Sequence, residues 1–295
     1  MASETLSPAT GDGSAIFRPG LLVGKVAIVT GGGTGIGAAI TRELSRLGAT
    51  VVIASRKLEH IEPAAAGISA ETGGVVVGKV CDIRDRASCD ALVHETLSTF
   101  GRLDLLVNNG GGQFMSPAEA IRTKGFEAVV ATNLTGTWNM TRAAADAWML
   151  DHGGRVVSIT MLTKRGFPGM AHSVAARAGV EAMTRTLSIE WASRGMLLNC
   201  IQPGLVASSG INNYPNGVAM MAEMQRMVPL KRLGTCDEIA WLVAFLASPA
   251  GAYVTGQTWT VDGGKELWGD AWPVSDPDEL PPVIVPVEPW ERSEG

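Results

Sequence analysis

Tyrosine is nearly missing from this chain. Its 295 residues hold two, Tyr214 and Tyr253, and aromatic residues make up only 5%. Chemistry that depends on a phenol therefore has two candidates. Cysteine is also sparse: Cys81, Cys89, Cys200 and Cys236 are scattered, with no pair at metal-ligand spacing. That argues against a cysteine metal site and a disulfide scaffold, and it fits free thiols in a reducing compartment. No metal is expected. No apolar run reaches the roughly 18 residues that suggest a membrane span, so no membrane partner is expected. Met1-Ala2-Ser3-Glu4 lacks a basic region followed by an apolar one, and Glu291-Arg292-Ser293-Glu294-Gly295 lacks a Ser-Lys-Leu type ending. The expected location is cytoplasmic. Positive charge is short as well, with 24 Lys+Arg against 29 Asp+Glu and a net charge of −5. A broad basic face for nucleic acid is not expected.

The acidity is local. Seven acidic residues and one basic residue come after Gly269, which leaves residues 1–269 with 22 acidic and 23 basic. Composition divides the chain into three zones. Residues 1–20 are rich in Ser, Thr, Gly and Ala and read as a flexible lead-in. Residues 21–267 carry the periodic hydrophobic pattern. Residues 268–295 hold six of the 15 prolines and three of the eight tryptophans, Trp268, Trp272 and Trp290. Proline lacks the N–H of a helix or a central strand, so this zone is read as an acidic extended arm docked by its tryptophans, or as a disordered tail.

What the middle zone has in quantity is short apolar runs and glycine, 36 residues in the whole chain. Candidate strands fall at 26–29, 51–53, 75–77, 105–107, 156–159, 197–200 and 258–261. Helical patterns lie between them near 35–47, 57–70, 85–99, 118–148, 172–193 and 236–247. Strands apolar on both sides suit a parallel sheet covered on both faces, and strand–helix alternation implies right-handed crossovers. The expected fold is α/β and doubly wound, in a single domain.

The first strand runs into Thr30-Gly31-Gly32-Gly33-Thr34-Gly35-Ile36-Gly37 and then a helix. Glycines let the turn close tightly and bring the helix N-terminal amides onto a pyrophosphate. Gly31, Gly33, Thr34, Gly35, Ile36 and Gly37 are therefore candidate cofactor residues. At the end of the second strand an acidic residue would bind the adenosine ribose and repel a 2′-phosphate. Ser55-Arg56-Lys57 stands there instead. A guanidinium fork grips phosphate, so NADP(H) is expected over NAD(H).

The glycine turn, Asp82, Asn108-Asn109-Gly110-Gly111-Gly112, Thr132-Asn133, Gln202-Pro203-Gly204 and Val261-Asp262-Gly263-Gly264 together resemble the short-chain dehydrogenase/reductase family over roughly residues 22–265. The resemblance implies a Rossmann-type seven-stranded parallel sheet and a homotetramer. It also implies that Asp82 contacts adenine and that Asn109 and Gly110 support the cofactor. Pro203 and Gly204 would approach the nicotinamide, with Ser208 near its carboxamide.

The departure from the family is at its catalytic pair, a Tyr followed four residues later by Lys. Aligning Arg177-Ala178-Gly179-Val180 puts Ser173 at the Tyr position and Arg177 at the Lys position. The family's partner Ser falls on Thr160, or on Met161 with one deletion. Neither Ser nor Arg replaces an activated phenol, which argues against ordinary alcohol–ketone chemistry. Reduction of an enoyl thioester tolerates the change, because donors can hold the enolate-like oxygen. Asn108–Phe114, Thr163-Lys164, Gly166-Phe167-Pro168 and His172–Val180 look like the peroxisomal trans-2-enoyl-CoA reductase branch, with the 2,4-dienoyl-CoA reductases similar. The latter branch also has Ser at the Tyr position but keeps a Lys where Arg177 stands. An acyl-CoA thioester is the expected substrate, with a terpene-alcohol dehydrogenase and a catalytically silent nucleotide-binding regulator as alternatives.

The candidate catalytic residues are Asn133, Thr160, Ser173, Arg177 and Tyr214. Ser173 reads as a donor to the thioester oxygen or as filler of the vacated Tyr space. Tyr214 reads as a donor from a mobile lid or as packing. Arg177 is also expected to bond the nicotinamide ribose. Gln113, Phe114, Thr163 and His172 are candidate substrate residues, with Met115 beside them. Lys164, Arg165, Lys231 and Arg232 are placed either against coenzyme A phosphates or in solvent. Met220, Met221, Met224 and Met227 recur at near-helical spacing, suiting either a flexible acyl pocket or helix packing.

Overall fold

The computed structural model describes residues 16–213, 216–269 and 272–291. Its sheet strands are β1 (Val26–Thr30), β2 (Thr50–Ser55), β3 (Val76–Val80), β4 (Leu105–Asn108), β5 (Gly154–Ile159), β6 (Met196–Pro203) and β9 (Thr258–Val261). They form a seven-stranded parallel sheet in the order β3-β2-β1-β4-β5-β6-β9. Two short strands, β7 (Val206–Ala207) and β8 (Gly234–Thr235), pair with each other outside it. The chain turns from one side of the sheet to the other between β1 and β4, and a crevice opens there beyond the strands' carboxyl ends.

The central strands β1, β4 and β5 are mostly apolar because both faces are covered. Successive side chains alternate: Ala27 and Val29 enter one core with Leu105, Val107 and Val157. Ile28 enters the other core with Leu106, Val156 and Leu198. The first core is closed by α1 (Gly35–Arg46), α2 (Leu58–Thr72) and α9 (Cys236–Ala247). The second is closed by α3 (Arg86–Phe100), α5 (Gly136–Ala144) and α7 (Ala171–Glu190). Each fully buried Ile or Leu contributes on the order of 1.5–3 kcal/mol from water removal.

Local signals set the helix ends. The Asp85 carboxylate accepts from the Ala87 amide at 3.1 Å to open α3. Thr235 and Glu238 bond each other's backbone amides at the start of α9, a complete capping box. α2 and α3 stop at Gly73 and Gly101, whose φ values are 69° and 75°.

The pattern near 118–148 is broken up. A short turn at Ala118–Ala120 precedes α4 (Thr123–Val130), a π-bulge at Ala131–Thr135, α5, a second bulge at Ala145–Met149 and α6 (Leu150–His152). A π-bulge inserts a residue into the turn and rotates the later helical turns, which periodicity alone does not reveal. After β6, α8 (Gly217–Met224) carries three of the regularly spaced methionines.

Beyond β9 the described part of the arm is irregular except for a turn at Pro289–Glu291. Trp290 packs on the first core, and Glu288 pairs with Arg42 of α1 at 2.6 Å. Trp268 donates its Nε1 to the Trp272 carbonyl at 2.8 Å, while the Trp272 side chain is exposed.

Candidate active site

The site is built at the carboxyl ends of β1, β4, β5 and β6. At β1 the chain turns through the glycines into α1. Gly35 has φ +49°, and a Cβ on Gly37 would stand 2.0 Å from the Gly31 carbonyl oxygen. Only glycine admits so close an approach. Thr34 makes no side-chain cap, so the opening amides of α1 face a cavity of about 220 Å³ under the turn. An uncapped helix N-terminus reached through a glycine turn too close for a side chain at Gly37 fits a dinucleotide pyrophosphate.

β4 holds this turn in place. The Asn109 amide donates to the carbonyls of Thr30 at 3.0 Å and Gly31 at 3.1 Å. The Thr30 hydroxyl accepts from the backbone amides of Asn109 and Gly110 at 3.1 and 2.8 Å. Asn109 thus staples β4 to the glycine turn after β1 with its side-chain amide.

At the carboxyl end of β2, Ser55 closes the strand and Arg56 follows as an exposed residue, while Lys57 pairs with Glu59 at 3.2 Å. The Asp82 carboxylate is gripped by Arg84, whose Nε lies 2.9 and 3.1 Å from its two oxygens. That guanidinium holds the carboxyl down at about 2. Sequence reasoning named Asp82 and missed Arg84, though the two stand two positions apart.

Beyond the carboxyl ends of β4, β5 and β6 lies a cavity of about 440 Å³ whose wall includes Gln113, Met115, Thr160, Arg177, Pro203, Gly204 and Ser208. Met220, Met221 and Met224 of α8 line it too, whereas Met227 is exposed. Arg177, on α7, is buried and donates to the Ile159 carbonyl at 2.8 Å. Burial pushes its guanidinium down to about 10, still a cation at neutral pH. A Cβ on Gly111 would lie 2.2 Å from Arg177 Nη2 and 2.7 Å from Asn133 Oδ1, so a glycine is required to let the three meet.

Asn133 sits in the first π-bulge, wholly buried. Its side chain clamps Gly112, accepting from the amide at 3.0 Å and donating to the carbonyl at 2.9 Å. The Thr160 hydroxyl donates to the Ile201 carbonyl at 3.2 Å.

Ser173 is fully buried and outside the cavity wall, and its hydroxyl donates to Gln113 Oε1 at 2.7 Å. Gln113 is the member of that pair that lines the cavity. His172 is also buried; its Nδ1 accepts from the Ser173 amide at 2.7 Å, and Phe114 packs edge-on at 4.3 Å. Its Nε2 has no hydrogen-bond partner among the described residues. Phe114 is not among the cavity-lining residues, while its neighbours Gln113 and Met115 are. Thr163 lies in a partly buried polar chain instead: Thr260 donates to Gln202 at 2.9 Å, and Gln202 donates to Thr163 at 2.9 Å and to Glu181 at 2.8 Å. Tyr214 lies outside the described residues. The other tyrosine, Tyr253, is fully exposed.

The four cations considered for coenzyme A phosphates all have protein partners. Lys231 is buried against Asp276 at 3.0 Å, and Arg232 is fork-bonded to Glu238 at 3.0 and 2.7 Å. Lys164 pairs with Glu266 at 3.3 Å, and Arg165 donates to the Trp268 carbonyl. Among the described residues no metal-ligating cluster occurs, and no helix is long and apolar enough to cross a membrane.

Residues 31–266 match the family described as enoyl-(acyl carrier protein) reductase. The chain is 40% identical over 254 residues to peroxisomal 2,4-dienoyl-CoA reductase of Danio rerio, covering 85% of each protein. It is 37% identical over 248 residues to a probable 2,4-dienoyl-CoA reductase of Bacillus subtilis, covering 82% of this chain and 97% of that one. Among solved structures, a citronellol catabolism dehydrogenase of Pseudomonas aeruginosa is 41% identical, with a TM-score of 0.77 over 85% of this chain and 98% of that one.

Proposed function

This chain belongs to the short-chain dehydrogenase/reductase family, and from that premise we propose that it is an NADPH-dependent reductase of an α,β-unsaturated acyl-CoA thioester, either a trans-2-enoyl or a 2,4-dienoyl chain. The observation that carries the reading is the pair at Ser173 and Arg177. The position of the family's phenol holds a serine hydroxyl spent on Gln113, and the position of its lysine holds a buried guanidinium. Such a site has a fixed cation and amide donors but no phenolic acid at Ser173. It suits a reaction whose developing charge falls on a thioester oxygen and needs holding rather than immediate protonation.

In this reading the glycine turn and α1 bind the pyrophosphate, and Arg56 with Ser55 receives the 2′-phosphate. Once bound, the cofactor would supply the hydride, for the β-carbon of a 2-enoyl thioester or for the δ-carbon of a 2,4-dienoyl one. Arg177 bonds the nicotinamide ribose and keeps the cleft electropositive, and Asn133 and Gly111 hold the wall in which it sits. Gln113 and Thr160 face the acyl group, and the α8 methionines adapt to its chain. The α-proton comes from water or from Tyr214. The protein assembles as a homotetramer, with the exposed Phe126 and Trp138 of α4 and α5 and Ile189 of α7 as surface to cover. Its location is cytoplasmic, a reading that four buried free thiols support.

The test monitors NADPH oxidation with a trans-2-enoyl-CoA and a 2,4-dienoyl-CoA, and NADP reduction with citronellol. Turnover of either thioester, with NADPH bound more tightly than NADH, is expected. Faster oxidation of citronellol would install the second reading, which the 41% identical neighbour favours. Binding of NADPH with no reaction would leave a nucleotide-binding regulator.

A further inference from the structure

The C-terminal arm lies beyond residues 31–266, the stretch matched to the family. Its contacts concentrate at two places. Near the substrate cavity, Asp276 bonds Arg226 at 2.5 Å and Lys231 at 3.0 Å, and the Pro281 carbonyl accepts from Gln225 at 3.1 Å. At its far end the arm crosses α1 and α2. Glu288 bonds Arg42, which also bonds Glu71 of α2 at 2.8 Å. The Trp290 indole lies on Gly67 of α2, where a Cβ would come within 2.5 Å of the ring. From that seat the Trp290 Nε1 donates to the carbonyl of Gly33 at 2.8 Å.

We propose that Trp290 is a positioning residue of the dinucleotide site, holding the glycine turn from outside so that its amides are set before the cofactor arrives. The Gly33–Thr34 peptide is trans, as every described peptide is. In a planar trans peptide the carbonyl and the N–H point in opposite directions. A bond on the Gly33 oxygen therefore fixes the direction of the Thr34 amide, and Thr34 lines the cavity under the turn. A run of glycines is the segment with most freedom to lose on binding. Restraining it beforehand removes part of that cost from cofactor affinity. Gly67 has no side chain where the indole must lie, and the Arg42–Glu288 pair, largely screened from water, anchors the arm beside it.

The inference rests on the turn's binding a dinucleotide and not on the acyl substrate, so the test uses neither substrate nor turnover first. NADPH and NADH are titrated by calorimetry against the full chain and against Trp290→Phe, Trp290→Ala and the control Trp272→Ala. Trp290→Phe keeps a ring on Gly67 and loses the N–H, and one such bond is worth on the order of fivefold in affinity. Trp290→Ala is expected to weaken NADPH further, and Trp272→Ala, on an exposed ring of the same arm, to leave it unchanged. In steady state the rise falls on KM for NADPH and not on KM for the thioester. Amide exchange at Thr34 and Gly35 quickens in Trp290→Phe. A folded Trp290→Phe with unchanged NADPH affinity and unchanged exchange overturns the proposal, and this variant decides if Trp290→Ala fails to fold. Failure of the parent chain to bind either nucleotide would instead overturn the cofactor reading.

Discussion

Gly111 is the residue on which the cavity wall turns. Arg177 Nη2 and Asn133 Oδ1 both close on the space a side chain would take. Gly111→Ala drives a methyl group into the guanidinium and displaces it. The expected result is a fall of at least about tenfold in turnover, the scale of one misplaced catalytic contact. Circular dichroism should show an unchanged fold; turnover equal to the parent's would remove Arg177 from the reaction. Asp82 gives a pH prediction. Its folded value of about 2 lies below the ordinary 3.8 because Arg84 bonds the charged form. The contribution is present above the ordinary value and is lost as pH falls through about 2. Both groups are partly exposed, so solvent screens the pair and its effect is small. Acid unfolding followed by fluorescence should be less steep in Asp82→Asn than in the parent. Motif context singled out Asp82 and Asn133 but not the side chains and backbone they bond. Arg84 folds back locally, while Gln202, Glu181, Thr163 and Thr260 come from four separate segments that only folding joins.

Among the elements, the strands were the easiest to read and the long helix the hardest. Period-two burial on two faces leaves β4 as Leu105-Leu106-Val107, a run that has few other uses. Leu106 is completely buried in the second core, so Leu106→Ala should cost about 2–5 kcal/mol, read from urea unfolding. A loss under about 1 kcal/mol would mean that the core repacks around the gap. Thr235→Ala breaks the capping box of α9 and should cost about 0.5–2 kcal/mol in the same experiment. The helical pattern near 118–148 shows where a helix runs but not its two π-bulges. The first bulge carries Asn133 to the Gly112 backbone. Ser173 makes the same point within α7: its place in the helix was readable, but the direction of its hydroxyl depends on Gln113, 60 residues away.

At the scale of the whole molecule, all four cysteines are buried and free. Burial pushes the Cys200 and Cys236 thiols up to about 12, so neither offers a thiolate at neutral pH. Alkylation should be slow in the native state and should proceed at the rate of opening, reaching completion in denaturant. Rapid native labelling of Cys200 or Cys236 would contradict that packing. The sequence alone determined the α/β alternation, the glycine turn, the want of a tyrosine at Ser173 and the crowding of acid and proline after Gly269. These depend on local spacing and residue chemistry, which one strand or one turn expresses without help. The tertiary structure decided what the polar groups do. It turned Lys231 and Arg232 toward Asp276 and Glu238, set Ser173 behind Gln113, and brought Trp290 across 257 positions to Gly33. A hydrogen bond needs its partner within about 3 Å, and distance in space between remote segments is settled only when the two cores close on the sheet.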